Sequence, residues 1–142
     1  MCNSNQLKTL ISYRIEQAHE TLHEAQILFN ECSLRGTVNR AYYAMFYAVL
    51  GLIATSQFGT SKHSGVISLF DREFVKKGIF PKEFSRSLHK AFDLRQTYDY
   101  GEAIEIDQAM AEKTFNNAKS FISAIETYLS SQGYLSNKGW NR

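Results

Sequence analysis

The residues from Arg40 to Leu50, RAYYAMFYAVL, form a run that is apolar on almost every side of a helix. A surface helix presents one apolar stripe, whereas a helix that is apolar all round has to be surrounded by other chain. The run therefore predicts a helix in the middle of a bundle, or one that buries one side in the core and another in a partner. The apolar stretch from Ala41 to Ala54 is too short to span a membrane and holds three tyrosines, so we interpret it as a buried helix.

Helical periodicity continues on both sides of this run. Glycine and proline are sparse, at eight and one in 142 residues, and no segment sustains the alternation of a strand. We predict helices over about residues 7–32, 37–56, 62–77, 81–98 and 107–131. Their predicted end signals are Gly36, Thr37, Ser61, Gly78, Pro81 and Asp107. The chain is thus predicted to be an all-α, up-and-down bundle of about five helices, with one domain over residues 1–131 and a polar, mobile tail over 132–142.

Composition narrows the class of protein. Hydrophobic residues make up 44% of the chain and aromatic residues 13%, which is enough to fill the core of one domain. The net charge of +2 permits nucleic-acid contact without requiring it. Cys2 and Cys32 are too few for a disulfide framework, and we interpret them as free thiols in a reducing cytosol. With a polar N-terminal segment and no candidate membrane span, we predict a cytoplasmic protein without a cofactor.

Arg95 stands on the apolar stripe of the fourth predicted helix. Counted at about 100° per residue, it shares one side of that helix with Phe84, Leu88 and Phe92, and Asp99 follows one turn later. Burying a lone guanidinium would cost several kcal/mol, so this arginine needs a partner or access to a cavity. Two interpretations stay open: an i,i+4 ion pair with Asp99 that fixes helix packing, or a ligand or RNA site.

Two further groups of residues could join Arg95. Arg40 borders the apolar run, either as a helix-end side chain that reaches solvent or as part of a site. In the second case, one face of the second helix would meet Arg95 in a shared polar pocket, lined by Arg40, Tyr43, Tyr47, Asp99 and Tyr100. His63 and Lys62 open the third helix, where free backbone N–H groups favour an anion. Capping by Ser61 accounts for much of the same sequence, and both interpretations remain open.

The remaining charged and histidine side chains are weaker indications of a functional site. Lys82, Arg86, His89 and Lys90 project opposite the Phe84 stripe, as a solvated surface or as a patch that contacts phosphate. His19 and His23 have a spacing seen in metal sites, but the neighbouring Glu20 and Glu24 favour a solvated face. We predict no metal site.

Four segments together resemble the HEPN domain family, and in particular its small stand-alone prokaryotic proteins. They are NRAYYAMFYA from Asn39, KHSGVI from Lys62, FVKKG from Phe74, and Arg95 followed by Asp99-Tyr100. They occur in the family's order and spacing, and the resemblance covers about residues 7–129.

The resemblance implies a five-helix up-and-down bundle that is often a homodimer. It also implies frequent pairing with a small nucleotidyltransferase, as toxin and antitoxin. Many members are metal-independent endoribonucleases whose motif is an arginine, a polar residue and, after four to six residues, a histidine. On this chain the arginine is Arg95 and the polar residue is Gln96, but Tyr100 stands near the histidine position.

This departure from the motif bears on catalysis. A histidine, with a pKa of about 6.5, exchanges a proton at neutral pH far more readily than a tyrosine with a pKa of about 10. Arg95, Asp99 and Tyr100 are therefore candidate catalytic residues, with His63 as a substitute acid or base if the fold brings it close. Candidate nucleotide- or RNA-binding residues are Arg40, Tyr43, Lys62, Arg86 and Lys90.

Alternatives to this function stay open. The chain could instead be a non-catalytic dimerisation or interaction module, in which Arg95 is structural and the aromatic second helix is an interface. It could also be a bundle that binds a small molecule in its core.

Overall fold

The computed structural model describes residues 2–56, 63–100 and 105–135, with side chains for 5–56, 63–96 and 105–135. Its α-helices are α1 (Cys2–Asn30), α2 (Leu34–Ile53), α3 (His63–Phe70), α4 (Lys82–Tyr100) and α5 (Gln108–Ser131). A 3₁₀ turn, Ala54–Ser56, follows α2, and a π-helical segment, Asp71–Val75, extends α3. Strands do not occur in these ranges. The predicted all-α bundle of five helices is confirmed.

Helix α2 lies at the centre of the bundle. It contacts α1, α3, α4 and α5, and buried side chains occur on successive residues around it, such as Ala41-Tyr42 and Ala44-Met45-Phe46. Helix α1 packs closely on it at Gly51, where an added Cβ would lie 3.3 Å from Arg14 Cβ. A helix that is apolar all round is therefore central in this fold, as its sequence predicts.

Aromatic rings fill the end of the bundle between the π-helical segment, α4 and α5. Ring centroids lie 5.3 Å apart in the pairs Phe70–Phe121 and Phe84–Phe121. We call this set the phenylalanine cluster; it consists of Phe70, Phe74, Phe80, Phe84, Phe121 and Tyr128. Phe70 and Phe121 are fully buried, so these rings form the core of this end.

The connection between α1 and α2 differs from the prediction. Helix α1 ends at Asn30 because Cys32, with a φ of +62°, takes the left-handed position predicted for Gly36. The Cys32 N–H donates to Phe29 O and the Ser33 N–H donates to Leu28 O, at 3.0 and 2.8 Å, which is the Schellman pattern. Gly36 lies inside α2 instead, where an added Cβ would be 3.1 Å from Leu28 Cδ1. Close packing against the end of α1 explains this glycine.

The start of α2 is also earlier than predicted. The helix begins at Leu34, and Thr37 lies within its first turn rather than at its cap. The Thr37 hydroxyl donates to the Ser33 carbonyl oxygen at 2.8 Å, a bond made from inside the helix.

Other helix ends follow their predicted signals. Asp107 caps α5, because its Oδ1 accepts from the Met110 N–H at 2.8 Å. Gly78 has a φ of +81° and lies beyond the π-helical segment, and Pro81 directly precedes α4. The predicted third helix is not uniformly α-helical, because the Lys76 N–H donates to Asp71 O in the π pattern.

Some predictions fall at or beyond the limits of the described residues. Ser61 lies outside them, as does the tail over 136–142. Tyr134 and Leu135, at the start of the predicted tail, pack against the core. In the described part of the chain, we find no helix with the length and apolar character that a membrane span requires.

Candidate functional site

Tyr42 and Tyr43 are the centre of the candidate site. They are consecutive on α2, so their side chains leave the helix about 100° apart. Tyr42 is fully buried, whereas Tyr43 is half-buried. Their ring centroids lie 5.2 Å apart, edge to face. Every other polar group of the site contacts one ring or both.

Arg95 reaches this pair from α4. Its Nη1 donates to the Tyr43 hydroxyl at 3.1 Å. Its Cζ lies 5.3 Å from the ring centroid of Tyr42, 5.6 Å from that of Tyr43 and 5.4 Å from that of Phe92. A guanidinium is attracted to the negative face of an aromatic ring. An arginine on an apolar stripe is tolerated here because ring faces and a hydroxyl surround it.

His63, the first residue of α3, contacts the same tyrosines. Its Nδ1 lies 2.6 Å from the Tyr42 hydroxyl oxygen. The imidazole stacks on Phe46 with centroids 4.1 Å apart and an angle of 7° between the planes, and it meets the edge of Tyr43 at 5.6 Å. The fold thus brings His63 into the environment of Arg95, as the substitute acid–base hypothesis requires.

The Tyr42 hydroxyl pairs with Nδ1 of His63, and the imidazole tautomer decides which of the two is the donor. Burial raises the pKa of Tyr42 well above its ordinary value of 10, and the neighbouring Arg95 lowers it only in part. Tyr42 therefore keeps its proton at neutral pH and can donate it to Nδ1 of a neutral His63. In that case Nε2 carries the imidazole proton.

Arg40 approaches Tyr43 from one turn earlier on α2. Its Cζ lies 5.1 Å from the Tyr43 ring centroid. Nε and Nη2 both donate to Asn39 Oδ1, at 3.1 and 2.9 Å, and Nη1 lies 3.5 Å from Glu24 Oε1 on α1. Two guanidiniums from two helices therefore contact one tyrosine ring.

We call this set the Tyr42–Tyr43 cluster. It consists of Arg40, Tyr42, Tyr43, Phe46, His63, Phe92 and Arg95. Arg40 and Arg95 both contact Tyr43, as predicted, while the shared polar pocket itself stays a prediction. Tyr47, also predicted there, packs its ring against Tyr43 at 6.1 Å.

Three predicted site residues cannot be located by their side chains. Asp99 and Tyr100 belong to the last turn of α4, but their side chains lie outside the described residues, and so does Lys62. The proposed Arg95–Asp99 ion pair and the role of Tyr100 near the motif histidine therefore stay predictions.

Arg86 and Lys90 lie away from the cluster. They precede Arg95 by nine and five residues, which turns them about 180° and 140° around α4. With Lys113 they line a groove of about 540 Å³ between α4 and α5, whose apolar lining includes Leu94. If Arg86 and Lys90 bind RNA, they bind it on a different side of α4 from the Tyr42–Tyr43 cluster.

His19 and His89 each pair with a carboxylate. His19 Nε2 lies 3.1 Å from Glu126 Oε1 and links α1 to α5, and His89 Nε2 lies 2.6 Å from Asp71 Oδ2. Over residues 5–56, 63–96 and 105–135, no group of three potential metal ligands comes together.

Sequence reasoning missed two residues of this site. Tyr42 was recognised as part of the apolar run but not as the partner of His63, because that contact joins residues 21 apart in sequence. Glu24 was assigned to a solvated face, and its pairing with Arg40 depends on how α1 packs on α2. The triplet of aromatic residues at 42, 43 and 46 was the available signal for Tyr42.

Comparison with known proteins identifies the family. Residues 11–128 match the model of the HEPN domain. A UPF0332 protein of Thermotoga maritima is 38% identical over 122 residues, which cover 86% of this chain and 92% of the relative. Two proteins of Methanocaldococcus jannaschii are each 35% identical: "Putative toxin MJ0142", over 89% of this chain and 85% of its own, and "Putative toxin MJ0605", over 81% and 85%. The resemblance of the four sequence segments is confirmed, and this chain belongs to the HEPN domain family.

Proposed function

We propose that this chain is the toxin-like member of a toxin–antitoxin or defence pair and that it binds RNA or nucleotide at the Tyr42–Tyr43 cluster. The toxin names of two relatives support the first part. The observation that carries the second part is Arg95, a half-buried guanidinium aligned by the Tyr43 hydroxyl and by three ring faces.

This arrangement suits a phosphate. A guanidinium presents planar N–H donors that match phosphate oxygens, and rings that restrict its motion reduce the entropy lost on binding. Tyr43 is half-buried, so one part of its ring is available for stacking with a base. The cluster therefore combines a cation for the backbone with an aromatic surface.

The same residues support metal-independent cleavage as the chemistry. In such a reaction the ribose 2′ oxygen attacks the adjacent phosphorus, its proton passes to a base, and the 5′ oxygen leaves with a proton from an acid. Arg95 would stabilise the extra negative charge on the phosphate. His63 would accept the 2′ proton at Nε2 and pass it to the 5′ oxygen, in the tautomer whose Nδ1–H donates to the Tyr42 hydroxyl, with its ring held against Phe46.

Family membership supports a proposal about the partners. We propose a homodimer that is held inactive by a small nucleotidyltransferase antitoxin, in the cytoplasm. Arg86 and Lys90 would then contact RNA on a second face or remain a solvated surface, and binding data on their variants distinguish these cases.

Expression of the chain with and without its neighbouring gene tests this function. Without that gene, we expect slowed growth and fragmented RNA, and we expect Arg95→Gln and His63→Gln to restore intact RNA. Arg72→Gln removes the same charge from an exposed side chain of the π-helical segment and serves as the matched control. Intact RNA and normal growth with the wild-type chain alone would remove the nuclease-toxin function.

A second candidate function is a non-catalytic interaction module. It is favoured by the contacts that Arg95 already makes within the protein, which are those of a side chain that fixes α4 against α2. In that case Arg95→Gln lowers the free energy of unfolding but leaves RNA binding unchanged. Binding and unfolding measurements on the same variant decide between the two.

A further inference from the structure

The two guanidiniums on Tyr43 are close enough to act on one ligand. Both Cζ atoms lie within 5.6 Å of the same ring centroid, so they are no more than about twice that distance apart. Two cations within this distance repel each other, and an anion that contacts both reduces the repulsion. Neighbouring phosphates of one nucleic-acid strand supply two such charges at short spacing.

One nitrogen of the Arg40 guanidinium, Nη1, is accessible to a ligand. Its Nε and Nη2 are both held by Asn39 Oδ1, which orients the guanidinium. Its Nη1 faces Glu24 Oε1 at 3.5 Å, longer than a good charge-assisted hydrogen bond. The Arg40 side chain is 33% exposed and that of Glu24 is 56% exposed, so solvent and ligand reach this ion pair.

We infer that the cluster takes two consecutive phosphates of a single RNA strand, one on Arg95 and one on Arg40, and that Glu24 competes with the second phosphate for Arg40. This inference rests on the proposed function, because it specifies the substrate class and a regulator of the same site. The Glu24 carboxylate weakens binding of the second phosphate, whereas the two arginines together make a site that prefers a polynucleotide to a mononucleotide.

The test is binding of a labelled, single-stranded 2′-O-methyl oligoadenylate of about eight nucleotides, which cannot be cleaved by 2′ attack. Glu24→Gln is expected to tighten binding about two- to fivefold, as expected for removing a partly exposed opposing charge. Arg40→Gln is expected to weaken binding and to lower the slope of log affinity against log salt by about one. The double variant is expected to behave like Arg40→Gln, since Glu24 acts only through Arg40.

Matched variants control for general effects. Glu16→Gln removes the same charge from an exposed position two turns earlier on α1. Arg40→Lys keeps the charge without the planar fork and should bind between wild type and Arg40→Gln. A competition series compares adenosine monophosphate with the 5′-phosphorylated dinucleotide, which should compete more strongly, and Glu24→Gln should widen that difference.

The outcomes separate this inference from the proposed function. If Arg95→Gln weakens binding while Glu24→Gln matches Glu16→Gln and Arg40→Gln keeps the wild-type salt slope, the two-phosphate site is wrong and the Arg95 site stands. A dinucleotide that competes no better than the mononucleotide also overturns it. Absence of oligonucleotide binding by the wild-type chain overturns both proposals.

Discussion

Two aromatic clusters at different places in the bundle have different surroundings. The phenylalanine cluster packs ring on ring, and both Phe70 and Phe121 are fully buried. The Tyr42–Tyr43 cluster places a guanidinium or an imidazole against its rings and leaves Tyr43 half-buried. The first therefore stabilises the fold through apolar burial, while the second holds cationic and titratable groups near solvent. Aromatic content alone does not distinguish a core from a site; the groups that contact the rings do.

Of the substitutions that test this difference between the clusters, the largest expected effect on stability is in the phenylalanine cluster. Phe121→Ala removes a fully buried ring that contacts Phe70 and Phe84, and it should lower the free energy of unfolding by about 3–5 kcal/mol. Chemical denaturation measures the loss, and Phe121→Leu, which keeps most of the volume, should lose less. A change in RNA affinity per folded molecule would contradict the division of roles between the clusters.

A smaller effect is expected from Tyr42→Phe. At neutral pH it removes the hydrogen bond to His63 and should cost about 1 kcal/mol of stability. The folded-state pKa of Tyr42 is raised, so its contribution is present below the unfolded-state value of about 10 and is lost as pH rises above that value. The wild-type chain should therefore lose up to about 1.4 kcal/mol per pH unit in that range from this group alone.

Urea denaturation from neutral pH to above pH 10 tests this prediction. The stability difference between wild type and Tyr42→Phe should shrink as pH rises. Tyr13→Phe, at a side chain 56% exposed, controls for the loss of a hydroxyl. A difference between wild type and Tyr42→Phe that stays constant across the range would show that Tyr42 does not titrate in this way.

The smallest effect is expected outside both clusters, at the α1–α2 connection. Cys32 has a φ of +62°, which glycine adopts without the steric cost that a Cβ adds. Cys32→Gly should raise the free energy of unfolding by about 0.5–1 kcal/mol and leave RNA binding unchanged. Cys32→Ala keeps the Cβ and should stay within a few tenths of a kcal/mol of wild type, so equal stabilities for the two variants would exclude backbone strain as the cause.

The fold was largely predictable because helical periodicity is a local property. The central position of α2 followed from its apolar run, and the Asp107 cap and Gly78 were correctly placed. The predicted end of α1 was wrong. Cys32 takes the left-handed position, whereas Gly36, four residues later, was the stronger sequence signal for it. The π-helical segment Asp71–Val75 had no sequence signal that we recognised.

The site was predictable only in part, because its contacts join distant parts of the chain. Arg40 and Tyr43 were expected beside Arg95 from the faces of two helices, and these contacts are present. The meeting of His63 with Tyr42 depends on where α3 begins, which the sequence does not specify in space. Arg86 and Lys90 lie on the other side of α4 from Arg95, as their spacing in the sequence predicts.

The glycine at position 51 affects where Glu24 lies, although the two residues are not in contact. An added Cβ at position 51 would lie 3.3 Å from Arg14 Cβ, so a larger side chain there would push α1 away from α2 at that point. Arg14, opposite Gly51, lies about 15 Å along α1 from Glu24. A larger side chain at position 51 would change the tilt of α1 against α2. That tilt would change the distance between the Glu24 carboxylate and Arg40. We therefore expect a larger side chain at position 51 to change the affinity of the proposed site at the other end of α2 for an anion.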